Sequence, residues 1–213
     1  ALKNRNDLFA LFPHEYPSLI ARLERHRDHV RGLSPGNEPK LEWVIDLVQN
    51  ARRRSAEQRL DDAVARLYRA IEALAQVVLR EKHGILNTRA VTLDQLPQTL
   101  RDEWASRARD GRTFMLGLQD AYRVLRELAD PVGQCFDDAR LAAAEGSPLV
   151  ARNNSILAHG FQPVGENAYK QLHDAAKRLL QALGADVPED TGEVDSWSLP
   201  APGRRLGPSA GAG

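Results

Sequence analysis

Apolar positions recur at helical spacing along most of this chain, and nowhere with the alternation of a half-buried strand. The clearest stretch is Asp61–Lys82, where Val64, Leu67, Ile71, Leu74 and Val78 fall at i, i+3, i+4 intervals over about six turns, with Gly84 placed to end the helix. A second stripe, Leu118, Tyr122, Leu125 and Leu128, predicts a helix within Thr113–Asp130 that stops or kinks before Pro131 and resumes through Cys135 and Phe136. Further helices are expected over Glu15–Arg31, Leu41–Arg53, Leu93–Arg107, Pro148–His159 and Glu166–Leu183, with Gly160 and Gly184 at helix ends. The expected fold class is therefore all-α, a bundle of six or seven helices. The loop Arg31–Pro39 carries two prolines and two glycines and divides an N-terminal helical arm, 1–38, from a helical domain, 39–184. From 185 to 213 Pro, Gly, Ser and acidic residues take over, the composition of a flexible tail.

Composition strengthens the helical reading, because Arg outnumbers Lys 24 to 5 and Ala and Leu dominate the apolar set. Twenty-nine basic residues balance 29 acidic ones, so a polyanion would have to be held by a local patch and not by the net field of the protein. The single Cys135 excludes an internal disulfide framework and a cysteine-rich zinc site, and points to a reducing, cytoplasmic compartment. Next to the Pro131 break it reads as a small apolar residue, not a nucleophile. No apolar run reaches the ~20 residues of a membrane span, and no export signal is present, which also sets aside the Asn153-Asn154-Ser155 sequon. The start at Ala1 suits a processed chain or a piece of a longer one.

Neither G-x-G-x-x-G nor G-x-x-x-x-G-K-[ST] occurs, so these residues hold no Rossmann-like or P-loop nucleotide domain. Six scattered histidines without H-E-x-x-H offer no metal site, and His26 and His29 read as part of a charged helix face. Arg52-Arg53-Arg54 with Arg59 has two readings, a solvated helix end or a phosphate contact.

The segment that stands apart is Ser147–Phe161, SPLVARNNSILAHGF. Arg152 and His159 are seven residues apart, which on a helix puts them within ~20° of one face and ~10.5 Å apart along the axis. A histidine that moves a 2′-hydroxyl proton beside a cation that stabilises a phosphorane is the minimum for cutting an RNA phosphodiester without a metal. Spacing alone does not distinguish the pair, since about two such Arg/His pairs are expected by chance among six histidines, and Arg22/His29 is the other. Context does: Arg22 and His29 are embedded in charge, whereas His159 follows Ile156, Leu157 and Ala158 and precedes Gly160.

RNNSILAHG resembles the R-N-x-x-x-x-x-H form of the R-x4-6-H signature of HEPN ribonucleases, and RLYRAIEALAQ (66–76) resembles the first long helix of such domains in CRISPR-associated CARF-HEPN proteins of type III systems. The resemblance covers about 56–184. It implies a HEPN-like bundle that dimerises through the motif helices and cuts single-stranded RNA without metal or cofactor, with Arg152 and His159 catalytic and Asn153 supporting them. The cyclic-oligoadenylate sensor domain of those proteins is absent from this chain. A physical argument also favours a homodimer: both side chains lean toward the helix N-terminus, so His159 tilts toward Arg152 while Arg152 points away, and a second copy across a twofold axis would gather two Arg and two His in one cleft. One imidazole would then accept the 2′-hydroxyl proton and the other protonate the leaving 5′-oxygen, leaving a 2′,3′-cyclic phosphate. Three other readings stand beside this one: a noncatalytic HEPN-like RNA-binding or dimerisation module, a toxin held by a protein antitoxin, and a helical scaffold that does not touch RNA.

Overall fold

The computed structural model describes residues 38–108, 113–139, 141 and 164–185, together with five helical positions near the N-terminus, Ile20, Ala21, Glu24, Arg27 and Arg31. The description below concerns the described residues of the compact unit 35–187.

Six α-helices occur among its described residues: α1 (Leu41–Ala56), α2 (Leu60–His83), α3 (Gln98–Trp104), α4 (Leu118–Glu127), α5 (Pro131–Asp138) and α6 (Glu166–Leu183). The all-α expectation holds, and α1, α2 and α6 begin and end within a few residues of their predicted limits. Gly84 ends α2 at φ +70°, in the left-handed region where an L side chain would be strained, and the next N–H, of Ile85, returns to the Leu79 carbonyl at 3.0 Å. Gly184 closes α6 in the same conformation.

Helix α2 is the axis of the bundle. It packs against α1, α4 and α6, while α5 bridges α4 and α6. Val64, Leu67, Ile71, Leu74 and Val78 are all buried as their spacing predicts. Tyr122 on α4 stacks on Phe136 of α5 at 3.9 Å between ring centres, and its hydroxyl donates to the Ile71 carbonyl at 2.8 Å. Burial holds that phenol neutral, well above its ordinary pKa. Tyr122→Phe keeps the stack and loses the hydrogen bond, so urea unfolding should show a loss of about 0.5–1.5 kcal/mol.

The chain turns from α4 into α5 as Pro131 requires. Asp130 caps α5 by accepting from the Val132 N–H at 2.9 Å, and Pro131 takes the first helical position, where a missing N–H costs nothing. The two helices meet closely at Gly133, where an added Cβ would lie 2.3 Å from the Arg126 backbone nitrogen.

Two expected stretches differ. Leu93–Arg107 is not one helix but a 3₁₀ turn at Leu93–Gln95, α3, and a second 3₁₀ turn at Ala105–Arg107. Pro97 is the cause: it forces Leu96 into extended backbone and removes the N–H that a continuous helix would need. The Arg101 guanidinium then takes up the Leu96 and Asp94 carbonyls at 2.8 and 2.9 Å. The helix expected from Thr113 starts only at Leu118, because Phe114 exchanges both backbone hydrogen bonds with Val91 at 3.0 and 2.9 Å in an isolated antiparallel bridge. That bridge sets the Phe114 ring edge-on to Trp104 at 6.0 Å.

Candidate functional site

Arg152, Asn153 and His159, with the predicted helix Pro148–His159, lie outside the described residues, as do Arg22, His26 and His29. The residues bracketing the motif segment are described. Upstream, α5 ends at Asp138 and Leu141 is buried in the core. Downstream, Val164 is buried, and its N–H donates to the Asp61 carboxylate at 3.2 Å, a contact spanning 103 residues of chain. Gly165 then caps α6, which begins at Glu166. The chain leaving the motif is therefore held at the N-terminal ends of α2 and α6.

The arginine run occupies the C-terminal end of α1 and the start of α2. Arg53 donates to Asn50 at 2.7 Å and lies 3.8 Å from Asp46, while Arg54 meets Glu57 at 2.6 Å and Asp62 at 3.4 Å. Arg59 and Arg66 also converge on Asp62, at 3.2 and 2.8 Å. Arg53, Arg54 and Arg59 thus each lie within 3.8 Å of a carboxylate.

The charge of Arg52 also acts on Tyr169 and His173 of α6. The two rings, one turn apart on α6, stack at 5.6 Å with 29° between their planes, and the Ser55 side chain hydrogen-bonds the Tyr169 phenol. Burial pushes that phenol above its usual pKa, opposed by the Ser55 bond and by Arg52. Burial likewise lowers the His173 imidazole, against the nearby Asp174 carboxylate, so His173 is a neutral ring whose buried Nε2 has no hydrogen-bond partner among the described residues. Sequence reasoning missed this cluster. The i, i+4 relation of Tyr169 and His173 was visible, but their partners on α1 are more than a hundred residues away.

A second unforeseen pair is His83 with Asp130, Nε2 to Oδ2 at 3.0 Å, with Lys82 at 3.9 Å from the same carboxylate. Because Asp130 already caps α5, the pair ties the end of α2 to the start of α5. Cys135 is half-buried against the core, and its thiol is raised above the usual value, first by burial and then by Asp138, which keeps it protonated and unreactive. Among the described residues no cluster of three or more His, Cys, Asp or Glu side chains is arranged to hold a metal, and no helix is long and apolar enough to cross a membrane.

A family model described as the Csm6 HEPN domain matches residues 34–183. The chain belongs to this family. The match closes on Leu183, the last residue of α6, and takes in every helix described above together with the Arg152–His159 segment. Comparisons with curated proteins and with solved structures found no match. Membership in the Csm6 HEPN family gives the chain an RNase-type role in a CRISPR context.

Proposed function

We propose that this chain is a metal-independent endoribonuclease of CRISPR antiviral defence, acting in the cytoplasm on single-stranded RNA through a site shared by two copies. The observation that carries the reading is the R-N-x-x-x-x-x-H sequence, Arg152 to His159, lying inside the stretch that matches the Csm6 HEPN domain. His159 takes or returns the proton in the transesterification, and Arg152 stabilises the pentacoordinate phosphorane as negative charge accumulates on its oxygens. Asn153 supports the pair as a neutral hydrogen-bonding group beside the guanidinium. With two histidines in one cleft, attack of the 2′-oxygen forms its bond to phosphorus as the bond to the 5′-oxygen breaks. The products are a 2′,3′-cyclic phosphate and a 5′-hydroxyl, and the reaction needs no metal.

The decisive experiment incubates the purified chain with end-labelled single-stranded RNA in EDTA and identifies the new ends. Cleavage that leaves cyclic phosphate supports the proposal. RNA bound but intact would favour a noncatalytic HEPN-like module, and RNA neither bound nor cut would favour a helical scaffold. A homodimer is expected whose interface includes Pro148–His159, since Leu149, Ile156 and Leu157 would otherwise leave an apolar stripe uncovered. In sedimentation at tens of micromolar, the species should weigh twice the 23.6 kDa of one chain. A monomer at that concentration would contradict the shared site.

A further inference from the structure

We propose that the seam between α1 and α6 is a proton-operated latch: a neutral His173 ring holds it closed, and a second proton on that ring loosens it. The latch is independent of the ribonuclease reading and involves only residues of these two helices. His173 stands one turn after Tyr169 on α6, and the two rings stack at 5.6 Å. Ser55 of α1 hydrogen-bonds the Tyr169 phenol, and the charge of Arg52 on α1 acts on both rings. The imidazole side chain is 18% exposed, with Nδ1 3.9 Å from the Asp174 carboxylate. Its Nε2 is buried and has no hydrogen-bond partner.

This geometry accepts one proton and resists two. A neutral imidazole carries a single N–H, which belongs on Nδ1, the nitrogen nearer a carboxylate, and leaves Nε2 as an acceptor. An imidazolium must carry a hydrogen on Nε2 as well, a buried donor with nothing to receive it. It also adds a third positive charge to those of Arg52 on α1 and Lys177 on α6. The opposing charge, Asp174, is 70% exposed, so water and salt screen it. Helices α2 and α5 also pack on α6, and among the described residues no charge of theirs acts on the ring. The Tyr169 phenol, raised by burial, stays neutral where a histidine titrates. Burial first, and then Lys177 and Arg52 working against Asp174, favour the neutral ring in the folded chain, so the unfolded chain takes up the proton more readily. Stability is therefore full above the ordinary imidazole value of ~6.5 and falls as the pH drops below it. A single proton can change the opening equilibrium by at most about tenfold per pH unit.

The test follows the full chain by NMR, amide exchange and urea unfolding from about pH 7.5 to about pH 5, the range that brackets imidazole titration. The His173 ring signal, identified by its loss in His173→Phe, should titrate below ~6.5. Exchange at residues 169–177, corrected for the intrinsic pH dependence of amides, should quicken as the pH falls, and the urea midpoint should fall with it. His173→Phe keeps a ring in the stack but cannot take the proton, so both responses should shrink; His173→Gln serves if His173→Phe does not fold. At low salt Lys177→Met should weaken the acid response and Asp174→Asn should strengthen it. The proposal is overturned if the ring titrates at or above the ordinary value, or if the acid response is undiminished in the His173 variants. It is equally overturned if residues 169–177 stay as protected in acid as at neutral pH, or if Lys177→Met and Asp174→Asn shift the response in the opposite senses.

Discussion

His159→Ala is expected to cut RNA ~10²- to 10⁴-fold more slowly than the wild-type chain, with helix content and dimerisation nearly unchanged. On the proposed mechanism, removing the imidazole deletes a proton-transfer group and little else, because alanine is the best helix former and the histidine stands just before Gly160, where the predicted helix ends. Arg152→Ala should abolish cleavage as well by withdrawing the cation from the phosphorane. The double variant should be scarcely worse than either single one, since groups that act as a unit lose their effect together. Rates should follow imidazole ionisation across neutral pH and ignore EDTA. His29→Ala, at the same spacing from Arg22, provides the control and should stay within a few fold of wild type. Equal losses at His29 and His159, or wild-type rates for His159→Ala, would remove the basis for assigning catalysis to this motif.

Leu74→Ala should have the opposite signature. Leu74 is 1% exposed at the centre of α2, and truncating it removes apolar contacts and leaves a cavity, at a cost of ~2–5 kcal/mol. Urea unfolding monitored by circular dichroism would read the loss directly. Cleavage should fall only as far as the folded population falls. A Leu74→Ala protein that is stable yet inactive would contradict a purely structural role for α2. The spacing marks five core positions on this helix, whereas eleven of its residues are buried, because α1, α4 and α6 cover it from three sides. Among the described helices α2 has the most buried residues, and truncation there should cost the most.

Local rules were sufficient for much of the fold. Hydrophobic period located α1, α2 and α6, glycine placed the ends of α2 and α6, and Pro131 marked the break between α4 and α5. Such signals are legible because each depends on residues within a turn or two of one another. Pro97 is equally visible in the sequence, but Leu93, Leu96, Leu100 and Trp104 keep helical spacing across it. For Phe114 the backbone bonds to Val91 override a helical pattern, a competition that no window around Phe114 contains. At the candidate site the sequence supplied the Arg152/His159 spacing and its apolar context, and the family match supplied the setting in which that spacing has meaning. The sequence also held the arginine run but not its partners: Arg53, Arg54 and Arg59 pair with carboxylates, and the charge of Arg52 acts on Tyr169 and His173. The contacts His83 to Asp130 and Asp61 to Val164 left no trace in the sequence pattern. Periodicity records which side of a helix is buried; it carries nothing about which distant polar group a buried N–H or carboxylate will meet, and that choice is made only when the helices pack.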